Sequence, residues 1–154
     1  MRWPAAWTML SELAKLRRSK NLIDRGHMPF TTLLVDDDST ILTTLKSVFE
    51  TRDFLVSTAI SAGEAVTTLG QHSFDLVVTD MRMETETAGF EVVRCAKAKS
   101  HKPVVIILSA YPIPASDWRK AGADAMFMKG GGIFRILDDI EELLRKHLKL
   151  RAAR

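Results

Sequence analysis

Cysteine is nearly missing from the chain: Cys95 stands alone among 154 residues, so no intramolecular disulfide can form and a disulfide-stapled secreted scaffold is excluded. Its helix-like surroundings suggest a buried, small apolar side chain. Histidine is equally sparse. His27, His72, His101 and His147 stand apart, with no cysteine or histidine partner at ligand spacing, which argues against a zinc site. No apolar run approaches the roughly 20 residues that a membrane-spanning helix requires. After the last helical segment there is no repeat, low-complexity tract or linker, and the expectation is a single domain without an output module.

What is present belongs to a soluble globular domain: 46% hydrophobic and 27% charged residues in a length that suits one core plus tails. The net charge of +3 is unevenly placed. Residues 1–28 hold six basic and two acidic side chains, whereas the remainder holds 16 basic and 17 acidic. The basic excess therefore belongs to the leader and gives no reason to expect direct nucleic-acid binding by the domain. In the leader, Trp3, Trp7, Leu10 and Ala14 recur at helical spacing but precede the basic cluster, the reverse of a secretory signal. Residues 1–28 read as a basic extension, with Met28 as an alternative start. A cytoplasmic setting fits all of this.

From Phe30 onward, short apolar runs alternate with helical periodicity, the pattern of βα units around a parallel sheet. The strand candidates are Leu33 to Asp36, Phe54 to Thr58, Leu76 to Asp80, Val104 to Ser109 and Ala125 to Met128. Asp38-Ser39 offers an N-cap for a first helix carrying Ile41, Leu45, Val48 and Phe49. Ser61-Ala62-Gly63-Glu64 has the form of a capping box, with Gly70 closing the second helix. Phe90 to Lys99 reads as the third and Ser116 to Ala121 as a short fourth. The fifth carries an apolar stripe of Ile133, Ile136, Leu137, Ile140, Leu143, Leu144 and Leu148.

Ligands of open parallel sheets bind beyond the carboxyl ends of the strands. Those ends here carry Asp36-Asp37-Asp38, Asp80, Ser109 and Lys129. Crowded carboxylates need a compensating cation, and oxygen donors suit a hard divalent ion such as Mg2+. An aspartate can attack phosphorus, while an ammonium and a hydroxyl can each hold a phosphoryl oxygen. Singly, each residue is commonly a cap or turn residue. Their coincidence at four strand ends is what points to phosphoryl chemistry.

The segments TTLLVDDDST, FDLVVTDMRM, VVIILSA and GADAMFMKG resemble, in order and spacing, the receiver domain of two-component response regulators. The likeness covers about Phe30 to Leu150, setting a domain at residues 29–150 and a tail at 151–154. It implies an α/β fold, doubly wound, with a five-stranded parallel sheet of order 2-1-3-4-5 and five flanking helices. It implies a phosphoacceptor role for Asp80, and Mg2+ binding by Asp36, Asp37, Asp80 and the backbone carbonyl of Arg82. Ser109 and Lys129 match the residues that contact the phosphoryl group. The implied donor is a sensor histidine kinase or a histidine phosphotransfer protein. Such a domain assists its own phosphorylation and dephosphorylation and is not otherwise an enzyme. Output to an unknown downstream protein, or homodimerisation, is implied for the fourth helix, fifth strand and fifth helix.

The chain departs from the family pattern in several places. Lys129-Gly130-Gly131-Gly132 stands where a proline usually follows the lysine, Met126 replaces the usual aromatic switch, and Glu84 takes a position where proline is frequent. The loop before Gly89 is one residue longer than usual. Arg82 and Tyr111 fall two residues past the acceptor and past Ser109, flanking the path of hydrolytic water, so slow phosphate loss is expected. Two other readings compete. Asp36-x-Asp38-x-Thr40 fits the nucleophile motif of haloacid-dehalogenase-like phosphohydrolases, which leaves Asp80 unexplained. A receiver-like scaffold that takes no phosphate would suit the glycine run and Met126.

Overall fold

The computed structural model describes residues 29–154, and the readings on residues 1–28 lie outside that range. Ten elements alternate along the chain. They are β1 (Thr31–Val35), α1 (Ser39–Glu50), β2 (Leu55–Ala59), α2 (Ala62–Gln71), β3 (Leu76–Thr79), α3 (Ala88–Lys97), β4 (Val104–Ser109), α4 (Ala115–Ala121), β5 (Ala125–Met128) and α5 (Ile133–Ala152). The strands form one parallel sheet of order β2-β1-β3-β4-β5, as the family resemblance implied.

Side chains of a strand alternate between faces, and a sheet covered on both sides needs apolar residues at nearly every position. The central strands β3 and β4 are buried throughout, while the edge strands β2 and β5 are only partly covered. Leu33, Val35, Val77, Val105 and Ile107 pack with Leu69, Val92, Val93 and Ala96 on the side of α2, α3 and α4. Leu34, Leu76, Val78, Ile106 and Leu108 pack with Leu42, Phe49, Leu137, Ile140 and Leu144 from α1 and α5. Burying one such leucine contributes about 1.5–3 kcal/mol. These two clusters hold the strand ends in place.

Local signals decide where the helices start. The Asp38 carboxylate accepts from the backbone N–H groups of Thr40 at 2.8 Å and Ile41 at 3.2 Å, capping α1. Ser61 caps α2 by accepting from the Glu64 N–H at 3.0 Å, and the Glu64 carboxylate reaches back to the N–H of Ile60 at 2.9 Å.

Several expected boundaries move. Helix α2 continues through Gly70 to Gln71, because Gly70 keeps its place in the helical ladder and His72 provides the C-cap. Helix α3 runs from Ala88 to Lys97, two residues earlier at each end than its periodicity suggests, because Gly89 and Ala88 already pack beneath the β3 end. Helix α5 reaches Ala152, so residues 151 and 152, assigned to a tail, are its last helical positions. Its stripe is buried at Ile136, Leu137, Ile140 and Leu144, but Leu148 lies past the sheet and is exposed. Cys95 is half-buried against the first cluster and not fully enclosed.

Gly89 is confined by its surroundings. A Cβ there would lie 2.4 Å from the Asp80 carbonyl oxygen and 2.8 Å from the Met81 Cα, both backbone atoms that cannot swing aside. At Gly70 a Cβ would meet nothing within 4 Å. In urea unfolding, Gly89→Ala is expected to lose about 1–3 kcal/mol, as overpacking does. Gly70→Ala is expected to gain about 0.5–1 kcal/mol from helix propensity.

Candidate functional site

Strand register assembles the site. Val35 pairs with Thr79, so the next residues, Asp36 and Asp80, emerge side by side; the Asp80 N–H donates to the Val35 carbonyl at 2.8 Å. Ser109 pairs with Met128, and the N–H of the following residue, Lys129, donates to the Ser109 carbonyl at 2.7 Å. Four strand ends thereby deliver their polar residues to one edge.

Asp36, Asp37 and Asp80 each bring a carboxylate oxygen within 4.8 Å of the others. Asp36 and Asp80 are buried, whereas Asp37 faces solvent. The Lys129 ammonium lies 2.5 Å from Asp36 Oδ2 and 3.3 Å from Asp80 Oδ1. Asp36 Oδ1 also accepts from the Asp38 N–H at 2.9 Å, and Asp80 Oδ1 from the Met81 N–H at 2.9 Å. Ser109 is buried, and its hydroxyl oxygen accepts from the Tyr111 N–H at 3.1 Å.

Burial pushes the Asp80 carboxyl above the ordinary carboxylate range; the Lys129 charge opposes this, and the Asp36 charge adds to it. Burial alone would lower Lys129, but its contacts with Asp36 and Asp80 outweigh burial and raise it, so it stays an ammonium. One cation thus faces three carboxylates. Oxygen donors of this kind and excess negative charge fit a hard divalent cation.

All six sequence-derived site residues lie at this edge. Arg82 enters with its side chain turned elsewhere: the guanidinium stacks 4.1 Å over the Tyr111 ring and its Nε donates to Glu86 at 2.9 Å. Its carbonyl oxygen accepts no hydrogen bond among the described residues. Asp38, the second carboxylate of the hydrolase motif, is engaged in capping α1. Gly130 follows Lys129 at φ +88°, in the left-handed region where a side chain would be strained. Met126 is partly buried against the core.

The sequence reading overlooked two contacts. Glu84, noticed only as a replacement for proline, accepts from the N–H of Ala62 through both carboxylate oxygens, at 2.9 and 3.1 Å. Its partner lies 22 residues away at the start of another helix, and no local pattern signals the pairing. The close approach of Gly89 to Asp80 is likewise visible only once α3 is packed.

The response regulator receiver domain model matches residues 32–141. The chain belongs to this family. PrrA, a transcriptional regulatory protein of Mycobacterium tuberculosis, is 30% identical over 128 residues, covering 80% of this chain and 54% of that protein. The transcriptional regulatory protein GlrR of Escherichia coli is 31% identical over 113 residues, 73% of this chain and 23% of its own length. The chain therefore spans about half or less of the curated relatives it matches. Among solved structures, a CheY-like receiver domain protein from Methanospirillum hungatei superposes with a TM-score of 0.71 at 26% identity, over 79% of this chain and 98% of that one. TrrA of Thermotoga maritima, solved in complex with Mg2+ and BeF, gives 0.67 at 25% identity, over 74% and 98%. Receiver domains are signalling domains, and phosphorylation and Mg2+ binding are typical of the family. No helix among the described residues is long and apolar enough to cross a membrane.

The raised Asp80 carboxyl sets a pH dependence. Its folded value exceeds its unfolded value, so the native receiver domain holds the proton more tightly. The resulting stability is present below the ordinary carboxylate range and lost as pH rises through the folded value. Without metal, Asp80→Asn is therefore expected to be more stable than the parent at neutral pH. The gap should narrow as pH falls through the folded Asp80 value, because the carboxyl then takes up its proton. Denaturant unfolding across this pH range checks this.

Proposed function

We infer that this receiver domain works in phosphorelay signalling by accepting a phosphoryl group on Asp80 from a phosphohistidine of a sensor histidine kinase or a histidine phosphotransfer protein. The observation that supports this best is the buried Asp80 carboxylate, set beside Asp36 and Asp37 with the Lys129 ammonium between Asp36 and Asp80.

Asp36, Asp37, Asp80 and the Arg82 carbonyl would hold Mg2+, in keeping with the Mg2+ and BeF complex of the related TrrA. When bound, the ion neutralises charge on the transferring oxygens. In the transfer, one Asp80 oxygen attacks phosphorus in line with the leaving group. A P–O bond forms as the donor's P–N bond breaks, and the departing imidazole takes a proton from solvent. Lys129 then pairs with a phosphoryl oxygen, and the Ser109 hydroxyl donates to another while still accepting from Tyr111. The added charge shifts a pre-existing conformational equilibrium. Its output surface is α4, β5 and α5, which meets a downstream protein or a second copy of the chain in the cytoplasm.

Incubation with acetyl phosphate and Mg2+ should add the mass of one phosphoryl group, mapped to the Asp80 peptide and missing in Asp80→Asn. Turnover through Asp36 would support the hydrolase reading, and the lack of any adduct the scaffold reading.

The stack of Arg82 on Tyr111 supports a shielding role, in which the two side chains would flank the path of hydrolytic water and favour a long-lived phosphoryl group. Combined Arg82→Ala and Tyr111→Ala substitution should hasten loss of the phosphate, followed by intact mass over time. An unchanged decay rate would count against the shielding role.

A further inference from the structure

The segment after Asp80 must hold its backbone steady, because Asp80 and the Arg82 carbonyl both lie on it. Little in residues 82–87 does so locally. Within the segment, the Met83 N–H donates to the Thr85 carbonyl at 3.1 Å and Arg82 pairs with Glu86, an ion pair on exposed side chains. At its far end, the Ala88 N–H donates to Thr85 at 3.4 Å and the Gly89 N–H to Met81 at 2.9 Å. None of these contacts reaches beyond the connection and the first turn of α3.

Among the described residues, the only hydrogen bonds from residues 82–87 that reach beyond β3 and α3, the elements this segment joins, are those between the Glu84 carboxylate and the Ala62 N–H, at 2.9 and 3.1 Å. Ala62 is the first residue of α2, where backbone N–H groups have no helical partner and the helix dipole favours negative charge. Ser61 and Glu64 occupy the neighbouring donors, on Glu64 and Ile60, which leaves the Ala62 N–H to Glu84. Ala62 is itself buried, so without Glu84 this donor would lose its partner in a place poorly reached by water. On the opposite flank the loop is held by the Arg82 stack on Tyr111. The connection is therefore pinned on two sides, by a charge-assisted hydrogen bond to α2 and by a cation–π contact to the β4–α4 loop.

We propose that Glu84 is a positioning residue for the acceptor loop: by accepting the Ala62 N–H at the start of α2, it fixes the backbone that carries Asp80 and the Arg82 carbonyl. It touches neither the transferring group nor the metal and acts through the loop. The proposal deepens the phosphoryl-acceptor reading and rests on it for the role of Mg2+. Glu84→Ala removes both acceptor oxygens; Glu84→Gln keeps one carbonyl acceptor and loses the charge.

Hydrogen exchange of the full chain without Mg2+, read by mass spectrometry on peptides covering residues 81–89 and 59–65, gives the first test. Glu84→Ala should speed exchange in both peptides relative to the rest of the domain, and Glu84→Gln should restore most of the protection. In calorimetric Mg2+ titration, Glu84→Ala should weaken binding by about five-fold, the equivalent of one net hydrogen bond, with a smaller loss in Glu84→Gln. Unchanged exchange in both peptides overturns the proposal. So does faster exchange spread uniformly over the domain, which would mark a purely global loss of stability. Unchanged Mg2+ affinity in a Glu84→Ala protein whose parent binds Mg2+ overturns the positioning role as well. If the parent binds no Mg2+ or takes no phosphoryl group, the phosphoryl-acceptor reading fails by itself, and the exchange experiment still decides the tether.

Discussion

An ammonium held between two buried carboxylates is the interaction on which this edge of the molecule depends. Lys129 reaches Asp36 and Asp80 only because β1, β3 and β5 lie in one parallel sheet and deliver their carboxyl ends to the same edge. Removing ions from water costs several kcal/mol each, so such a cluster is weak evidence for stability by itself. The apolar layers on both faces supply the stability, and they keep the strand ends close enough for the charges to meet. The sheet thus supports a charged site that would be unfavourable in isolation.

Much of this was legible in the sequence because parallel strands buried on both faces must be almost continuously apolar. The runs ending at Ser109 and Met128 match β4 and β5 residue for residue. Site residues were legible for a related reason: polar groups at the ends of such runs have few other places to be. Helix ends were less so. Gly70 suggests a stop, yet a glycine inside a helix costs only about 1 kcal/mol, and packing of α2 against the sheet overrides it. Leu148 keeps the α5 period but lies beyond the sheet, since periodicity reports a face and not the length of what it packs against. Glu84 was illegible in kind, because its partner is a backbone N–H whose availability depends on how two separate loops approach.

The departures from the family pattern look different once placed. The glycine after Lys129 replaces a restrained residue, yet Gly130 takes a left-handed conformation closed to other residues without strain, so the run carries a definite turn. Lys129 is also held from its own backbone, through the Ser109 carbonyl, and from its side chain, through two carboxylates. Anchoring at both ends offsets the freedom of the glycines that follow. Glu84 illustrates the same exchange of a built-in restraint for a tertiary contact, a carboxylate on the start of α2.

Charge balance links the site to its surroundings. Three carboxylates against one ammonium leave an excess of two negative charges, which a divalent cation cancels. A phosphoryl group on Asp80 would replace one carboxylate charge with about −1.5 to −2 and present new acceptor oxygens. Ser109 is the buried donor at hand, and a hydroxyl can donate while still accepting. Its oxygen already receives the Tyr111 N–H, and the Tyr111 ring lies under Arg82, which in turn pairs with Glu86. Any turn of the Ser109 hydroxyl toward new charge therefore acts on a chain of contacts joining the β4–α4 loop to the acceptor loop. Met126, a thioether in place of a ring, packs against the core, whereas this chain of contacts runs from buried Ser109 to exposed Tyr111 and Arg82.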